Sequence, residues 1–351
     1  MKENFIAPSE MNDTQRRVFI DAVQLFQAYR QLFRESRSYR GGMHWKIAKG
    51  RQYLFRSTDR YGYGKSLGPR SEKTETTLEQ FRQAKQENSK RLSSIKDRLK
   101  EQARFCRAAS IQRVPSVAAG VLRVLDQHML LGKSITIIGT NAIYAYEAAA
   151  GVFVDSPIMA TQDIDMLWDV KARLNLAAMD QDRPAGGMID LLKKSDRSFR
   201  RVGRQPFRAV NKDGYMVDLI KPRPKSVITT EPTRLGDESD LEAAEIGNLE
   251  WLVSSPKFSQ VVIGNNGYPA AMVCPDPRAF AVHKIWMSRQ PDRDPLKKQR
   301  DRGQALTVAW IVSRYLPQYK FSSSELKMFP KSIIDNARHD IDALTVPDDF
   351  K

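Results

Sequence analysis

Ser134–Gly151, SITIIGTNAIYAYEAAAG, followed by Asp163–Trp168, DIDMLW, is the stretch on which the fold turns. The run ITII is short, apolar and β-branched, the mark of a buried strand. TNAIYAYEAAAG reads as a helix stopped by Gly151, and DIDMLW as the next strand. Gly139-Thr140-Asn141 therefore stands where a strand hands over to a helix. Backbone N–H groups at a helix start bind phosphate, and a small Gly lets phosphate approach. Thr140 or Asn141 would equally serve as an ordinary helix cap. Asp163 and Asp165, two apart on a strand, project from one face. Two carboxylates so placed repel each other unless a cation lies between them. Mg²⁺ prefers oxygen ligands, so the pair suits Mg²⁺ or Mn²⁺; a surface turn holding two Asp is the alternative.

Working outward, a third carboxylate interrupts an apolar run. Tyr215–Ile220, YMVDLI, reads as a buried strand carrying Asp218. A buried ionised Asp needs a metal or a cationic partner such as Arg. Asp163 follows Gly139 by 24 residues, room for one helix and a return to the sheet. Asp218 follows Asp165 by 53 residues, enough to return on a neighbouring strand. Between and beyond these lie a helix near 187–195, a strand near 199–210 and paired strands near 258–263 and 268–273. Two helices, DPRAFAVHKIWMS and PLKKQRDRGQALTVAWIVSRYL, and a helical tail over 323–345 complete the pattern. On the first of these helices Lys284 stands on an apolar face, placed to reach a triphosphate or to snorkel from the core edge. Arg300 and Asp301 on the second are either substrate groups or a salt-bridged helix face. His283 has no second His or Cys at useful spacing, so packing or capping is expected of it.

The N-terminal third differs in character. Of the net charge of +16, residues 31–110 carry +12, with 20 Lys+Arg against 8 Asp+Glu. Tyr39, Trp45, Tyr53, Phe55, Tyr61 and Tyr63 are interleaved with these charges. Basic residues with interleaved aromatics point to nucleic acid. Residues 12–36 read as an amphipathic helix capped by Asn12, Asp13 or Thr14. HWKIAK and RQYLFRS flank Gly50 as a hairpin, and YGYGKSLGPRS reads as a Gly-rich basic loop. Gly64-Lys65-Ser66 is not a P-loop, because Asp59 stands where that loop needs its first Gly and no apolar strand precedes it. Residues 74–109 form a long charged helix with a narrow apolar stripe, which predicts an exposed arm.

Composition sets outer limits. Hydrophobic residues make up 41% and charged residues 28% of the 351, as in a soluble globular protein. Cys106 and Cys274 are too few for a disulfide framework and lack metal-ligand spacing, so a reducing cytoplasm is expected. The N-terminus lacks the apolar segment of a signal peptide, and no apolar run approaches the roughly 20 residues of a membrane span. No membrane association is expected.

Gly139-Thr140, then D-x-D, then a third Asp on a later strand resembles the polymerase-beta-like nucleotidyltransferase superfamily. GTNAIYAYEAAAG with ATQDIDMLWD resembles, over about 134–310, a bacterial nucleotidyltransferase family. It is also similar, more loosely, to the nucleotidyltransferase toxins of type IV abortive-infection systems. Those show a GGT…D-x-D opening, a helical Lys and an Arg-Asp pair, matched here by Lys284 and Arg300-Asp301. This chain has Gly-Thr-Asn for Gly-Gly-Thr and a long N-terminal part that the toxins lack. The resemblance implies an α+β nucleotidyltransferase fold, a small mixed sheet with flanking helices, to which the residues' own pattern adds a basic helical N-terminal region with a hairpin and a helical C-terminal region. The implied organisation is 1–114, 115–275 and 276–351. It implies catalysis by Asp163, Asp165 and Asp218 with two Mg²⁺ or Mn²⁺ ions. Nucleotide binding falls to Gly139, Thr140, Asn141 and Lys284, with Arg300 and Asp301 as substrate or structural residues. NTP is the implied substrate and RNA, reached through 31–110, the favoured acceptor. A protein or small-molecule acceptor, a non-catalytic nucleic-acid-binding role and a neutralising partner protein stay open.

Overall fold

The computed structural model describes residues 7–58, 63–154, 157–159, 161–171, 187–224 and 231–342. Two compact units emerge: Arg17–Ser110, and Ile111 onward together with the N-terminal residues up to Arg16.

In the first unit, helix α1 (Asp13–Ser36) begins at Asn12, whose Oδ1 accepts from Gln15 N at 2.9 Å while Gln15 Oε1 accepts from Asn12 N. Such reciprocal capping satisfies two helix-start donors. Strands β2 (Gly42–Ala48), β3 (Arg51–Ser57) and β4 (Gly64–Pro69) form an antiparallel sheet in that order. Lys49 (φ 48°) and Gly50 (φ 73°) make the two-residue hairpin turn whose positive φ values match strand twist. The expected Gly-rich loop is a strand over Gly64–Pro69, because the free edge of β3 supplies a ladder that glycines can join past an irregularity at Leu54/Phe55. Tyr61 lies outside the described residues. Helix α2 (Glu72–Ala108) starts from a Ser71–Thr74 capping box. Most of its residues are exposed, but one stripe packs on α1. Asn88 Nδ2 donates to Leu32 O and Gln102 Nε2 to Val18 O, so α2 runs antiparallel along α1. The apolar stripe of α1 (Ala22, Phe26, Leu32) needed that cover, and α2 brings Ile95, Leu99 and Ala103.

The second unit opens with β1 (Ser9–Glu10), paired with β6 (Val152–Phe153). Its centre is a mixed sheet of β5 (Ile135–Ile138), β7 (Asp163–Trp168), β10 (Met216–Pro222), β9 (Gln205–Val210) and β8 (Arg200–Val202), in that order. β11 (Ala244–Ile246) pairs with the far half of β10. The predicted strand near 199–210 is thus a hairpin, β8 and β9. β7 and β10 run parallel; the other pairs within this row are antiparallel. β12 (Lys257–Ile263) and β13 (Pro269–Pro275) form a separate antiparallel pair.

Alternation decides what each face of the sheet does. Ile164, Met166, Trp168, Val217 and Leu219 are buried in a core shared with α3 (Ser116–Gln127) and α5 (Gly187–Ser195). Leu167 and Ile220, on the opposite face, join Ile138 in a second core. There they meet α7 (Pro277–Ser288), α8 (Pro295–Tyr315) and α9 (Lys331–Asp342); α6 (Glu250–Ser254) contributes Leu252. Each fully buried aliphatic side chain contributes about 1.5–3 kcal/mol. The architecture is mixed α+β, as expected. Residues 343–345 of the expected tail helix lie outside the described residues. Among the described residues no helix is long and apolar enough to cross a membrane.

Candidate active site

β7 and β10 place the carboxylates. In their parallel register Asp163 lies opposite Met216 and Asp165 opposite Asp218. By strand alternation Asp163, Asp165 and Asp218 share the face of Leu167 and Ile220. Apolar neighbours seal one end of that face and leave the carboxylates at the other.

Asp165 lies against the Gly139 turn. Burial, then the charges of Asp163 and Asp218, push its carboxyl up to about 7, against the pull of Lys284 and Arg208. Gly139 makes room for it. The residue adopts φ +68°, and a Cβ there would collide with Asp165 Oδ2. Glycine is thus required both for the left-handed backbone and for the space. Ile138, just before it, pairs with Asp165 across β5 and β7, so the turn is fixed against the carboxylate.

Asp218 is held by Arg208, its direct neighbour on β9. Arg208 Nε donates to Oδ1 at 2.7 Å and Nη2 to Oδ2 at 2.6 Å. The buried carboxylate thus has a cationic partner, one of the two solutions its burial demanded. Asp163 accepts from the Thr161 hydroxyl.

Thr140 and Asn141 do not cap the helix. After a 3-10 turn at Gly139–Ala142 the chain continues as α4 (Ile143–Ala150), and neither start carries a side-chain cap. Thr140 Oγ1 instead accepts from Gln304 Nε2 of α8 at 2.9 Å. Asn141 Nδ2 donates to Asp163 O at 2.6 Å, and the Tyr215 hydroxyl donates to the same carbonyl at 3.3 Å. Burial first, then Asp163, raises the Tyr215 phenol, so it stays a donor at neutral pH. Asn141 Oδ1 and Gln304 Oε1 are buried acceptors with no hydrogen-bond partner among the described residues. Such orphans are costly unless something fills them.

Behind this layer lies a buried charge cluster. Asp301, fully buried, accepts from Lys284 Nζ at 2.6 Å and from Arg293 Nε at 2.8 Å. Burial lowers the Lys284 ammonium and Asp301 opposes that shift. Lys284 is therefore neither at the core edge nor at the surface; it points at Asp301. Arg300 is not part of the cluster, and its Nε is buried without a partner among the described residues. His283 packs against Trp251 and Trp286 and is pushed down to about 3 by burial and by Lys284. It is a neutral packing residue.

A model of the family described as Nucleotidyltransferase matches residues 116–329, more than half of the 351-residue chain. The chain belongs to this nucleotidyltransferase family. It is a transferase. The match takes in α3, both central strands and the helices α7 and α8, so every site residue named above lies inside the family domain. No curated protein and no solved structure matches the chain.

The donor set of the transferase suits a hard divalent cation: three carboxylates on adjacent strands, with Asp165 raised by burial and by its two carboxylate neighbours. The positions do not yet converge. Among the described residues no group of three His, Cys, Asp or Glu side chains is poised around one metal ion. Arg208 holds both oxygens of Asp218. Cation binding by all three would require Asp218 to exchange that partner.

Five residues of the site escaped the sequence: Thr161, Arg208, Tyr215, Arg293 and Gln304. Gln304 left a trace as a polar residue at the head of the apolar run ALTVAWIV. Arg208 left none, since only the β9–β10 register brings it to Asp218.

Proposed function

We propose that this nucleotidyltransferase moves NMP from an NTP to a hydroxyl of RNA, releasing pyrophosphate. The single observation that carries the reading is the register of β7 and β10. It sets Asp218 beside Asp165, on the face that also carries Asp163, against the Gly139 turn. The acceptor oxygen attacks the α-phosphorus, and the bond from that phosphorus to the bridging oxygen of the β-phosphate breaks. Two Mg²⁺ or Mn²⁺ ions, held by Asp163, Asp165 and Asp218, would supply neutralisation of the triphosphate and of the attacking oxygen.

The chain's own residues do the rest. Backbone N–H groups of Gly139, Thr140 and Asn141 hold the β- and γ-phosphates at the start of the 3-10/α4 segment. Asn141 and Tyr215 fix the Asp163 main chain, so the strand start does not move when charge is loaded. Gln304 fixes the Thr140 hydroxyl. Lys284, anchored on Asp301, offsets the negative charge around Asp165 from behind. Asp218, nearest the acceptor in this scheme, draws the hydroxyl proton once Arg208 lets go. RNA is favoured as acceptor by the charge of +12 over residues 31–110.

The test is incubation of the whole protein with each radiolabelled NTP, Mn²⁺ or Mg²⁺ and total RNA, beside an Asp163→Ala/Asp165→Ala variant. Label on RNA with the wild type alone supports the proposal. Label on protein moves the acceptor, and label with the double variant removes the carboxylates from the mechanism.

A further inference from the structure

In the three-stranded sheet of the basic unit one face is partly covered by α2 and the other is open. Leu54 is fully buried, the Arg56 guanidinium lies over the Phe81 ring of α2, and Lys85 Nζ of α2 donates to Gly41 O. Those contacts put α2 against the face of Leu54 and Arg56. The other face carries the alternate residues. His44 pairs with Phe55, and Phe55 with Ser66; Lys46 pairs with Tyr53, and Ala48 with Arg51. His44, Lys46, Arg51 and Ser66 are exposed; Tyr53 and Phe55 are half-buried. The rings of His44 and Phe55 lie 5.8 Å apart. The Lys46 ammonium rests 3.6 Å above the Phe55 ring, so a base stacking on that ring face takes the place of the ammonium, which is then free for a phosphate.

Charge selects the occupant. Residues 42–57 and 64–70 contain six Lys+Arg and no Asp or Glu. Arg56 and Arg70 are spent inside the unit, on main-chain carbonyls and on Glu75 and Gln52. Lys46 and Arg51 stand on the open face itself, beside the two aromatic rings. Tyr53 and Phe55, two apart on one strand, are about 6.7 Å apart. That spacing suits successive bases of an extended strand, not the closed stack of a duplex.

We propose that the open face of the β2–β4 sheet is a stacking platform for single-stranded RNA. Tyr53 and Phe55 take two bases, while Lys46 and Arg51 hold the phosphates. The proposal deepens the RNA-acceptor reading and rests on it for the choice of RNA.

The test uses the full chain without NTP or metal. Fluorescence anisotropy compares a labelled 12-nucleotide oligouridine with an RNA duplex of equal length. Tyr53→Leu/Phe55→Leu, which keeps apolar bulk, should weaken single-strand binding roughly tenfold or more and leave its salt dependence in place. Lys46→Gln/Arg51→Gln should lower the slope of log K against log salt by about 1.4. Should the aromatic pair fail to fold by circular dichroism, Tyr53→Leu alone and the charge pair carry the test. Unchanged binding in folded variants, or duplex binding lost in parallel with single-strand binding, overturns the platform. The label-transfer assay separates the two ideas. Variants that bind and label RNA like the wild type sink the platform and keep the acceptor. Lost oligouridine binding with wild-type label going to protein keeps the platform and sinks the acceptor.

Discussion

Asp165→Asn should make the metal-free protein more stable at neutral pH, although it removes a residue of the candidate active site. The carboxyl is raised from 3.8 to about 7 by burial and by Asp163 and Asp218. Ionising it in the folded chain therefore costs free energy that the unfolded chain does not spend. Roughly three pH units at about 1.4 kcal/mol each set a ceiling near 4 kcal/mol. Water at the open edge of the carboxylate lowers the real figure. The sign follows from the raised value. Below pH about 4 the proton is bound in both states and wild type and variant differ little on this account. Between about 4 and 7 the wild type loses stability that the variant keeps, and above 7 the loss is complete. Urea unfolding of both proteins in EDTA at pH 4.5, 6 and 8 measures the difference. It should grow with pH in favour of Asp165→Asn. Adding Mn²⁺ at pH 8 should raise the wild type and leave the variant nearly unmoved, since a bound cation stabilises by mass action. A difference that stays flat from pH 4.5 to 8, or a wild type that is the more stable in EDTA at pH 8, would refute the inference that burial and the two neighbouring carboxylates penalise ionised Asp165.

Other substitutions probe the remaining parts. Gly139→Ala forces a Cβ onto Asp165 Oδ2 and an L-residue into φ +68°; we expect a loss of about 1–3 kcal/mol in thermal unfolding and at least about a hundredfold in transfer rate. Arg208→Gln leaves Asp218 without its bidentate partner and should destabilise the metal-free protein by about 1.5–3 kcal/mol. The same variant should tighten Mn²⁺ binding by calorimetry, because Arg208 competes for both Asp218 oxygens; weaker binding would make Arg208 a support of the site, not a rival of the cation. Lys284→Met leaves fully buried Asp301 with Arg293 alone and should cost about 3 kcal/mol in urea unfolding; an unchanged midpoint would mean that Arg293 suffices.

Local pattern carried the reading of the sequence as far as local physics reaches. Four β-branched or apolar residues, a turn and Gly151 announced β5 and α4, because burial and a left-handed helix stop are written in the residues themselves. Asp163, Asp165 and Asp218 were legible as oddities in apolar strands, and their meeting followed from the parallel return of β10 to β7. What stayed hidden depends on register or on a distant partner. Gly64–Pro69 has the composition of a loop and became a strand because β3 offered an edge. Arg208 looks like any strand Arg until the β9–β10 register sets it opposite Asp218. Lys284 stood out on an apolar helix, yet its direction is decided by Asp301, 17 residues later on the next helix. The same logic sorts the basic unit's aromatics. Tyr39 packs on Phe81, and Trp45, under Arg70, stands on the Leu54 side of the sheet. The proposed platform takes Tyr53 and Phe55 because strand alternation turns them away from α2, and alternation also sets Lys46 and Arg51 beside them. The charge of the unit is thus less informative than its pleat. Basic residues occur on both faces, and the face without Leu54 sets Lys46 and Arg51 beside Tyr53 and Phe55.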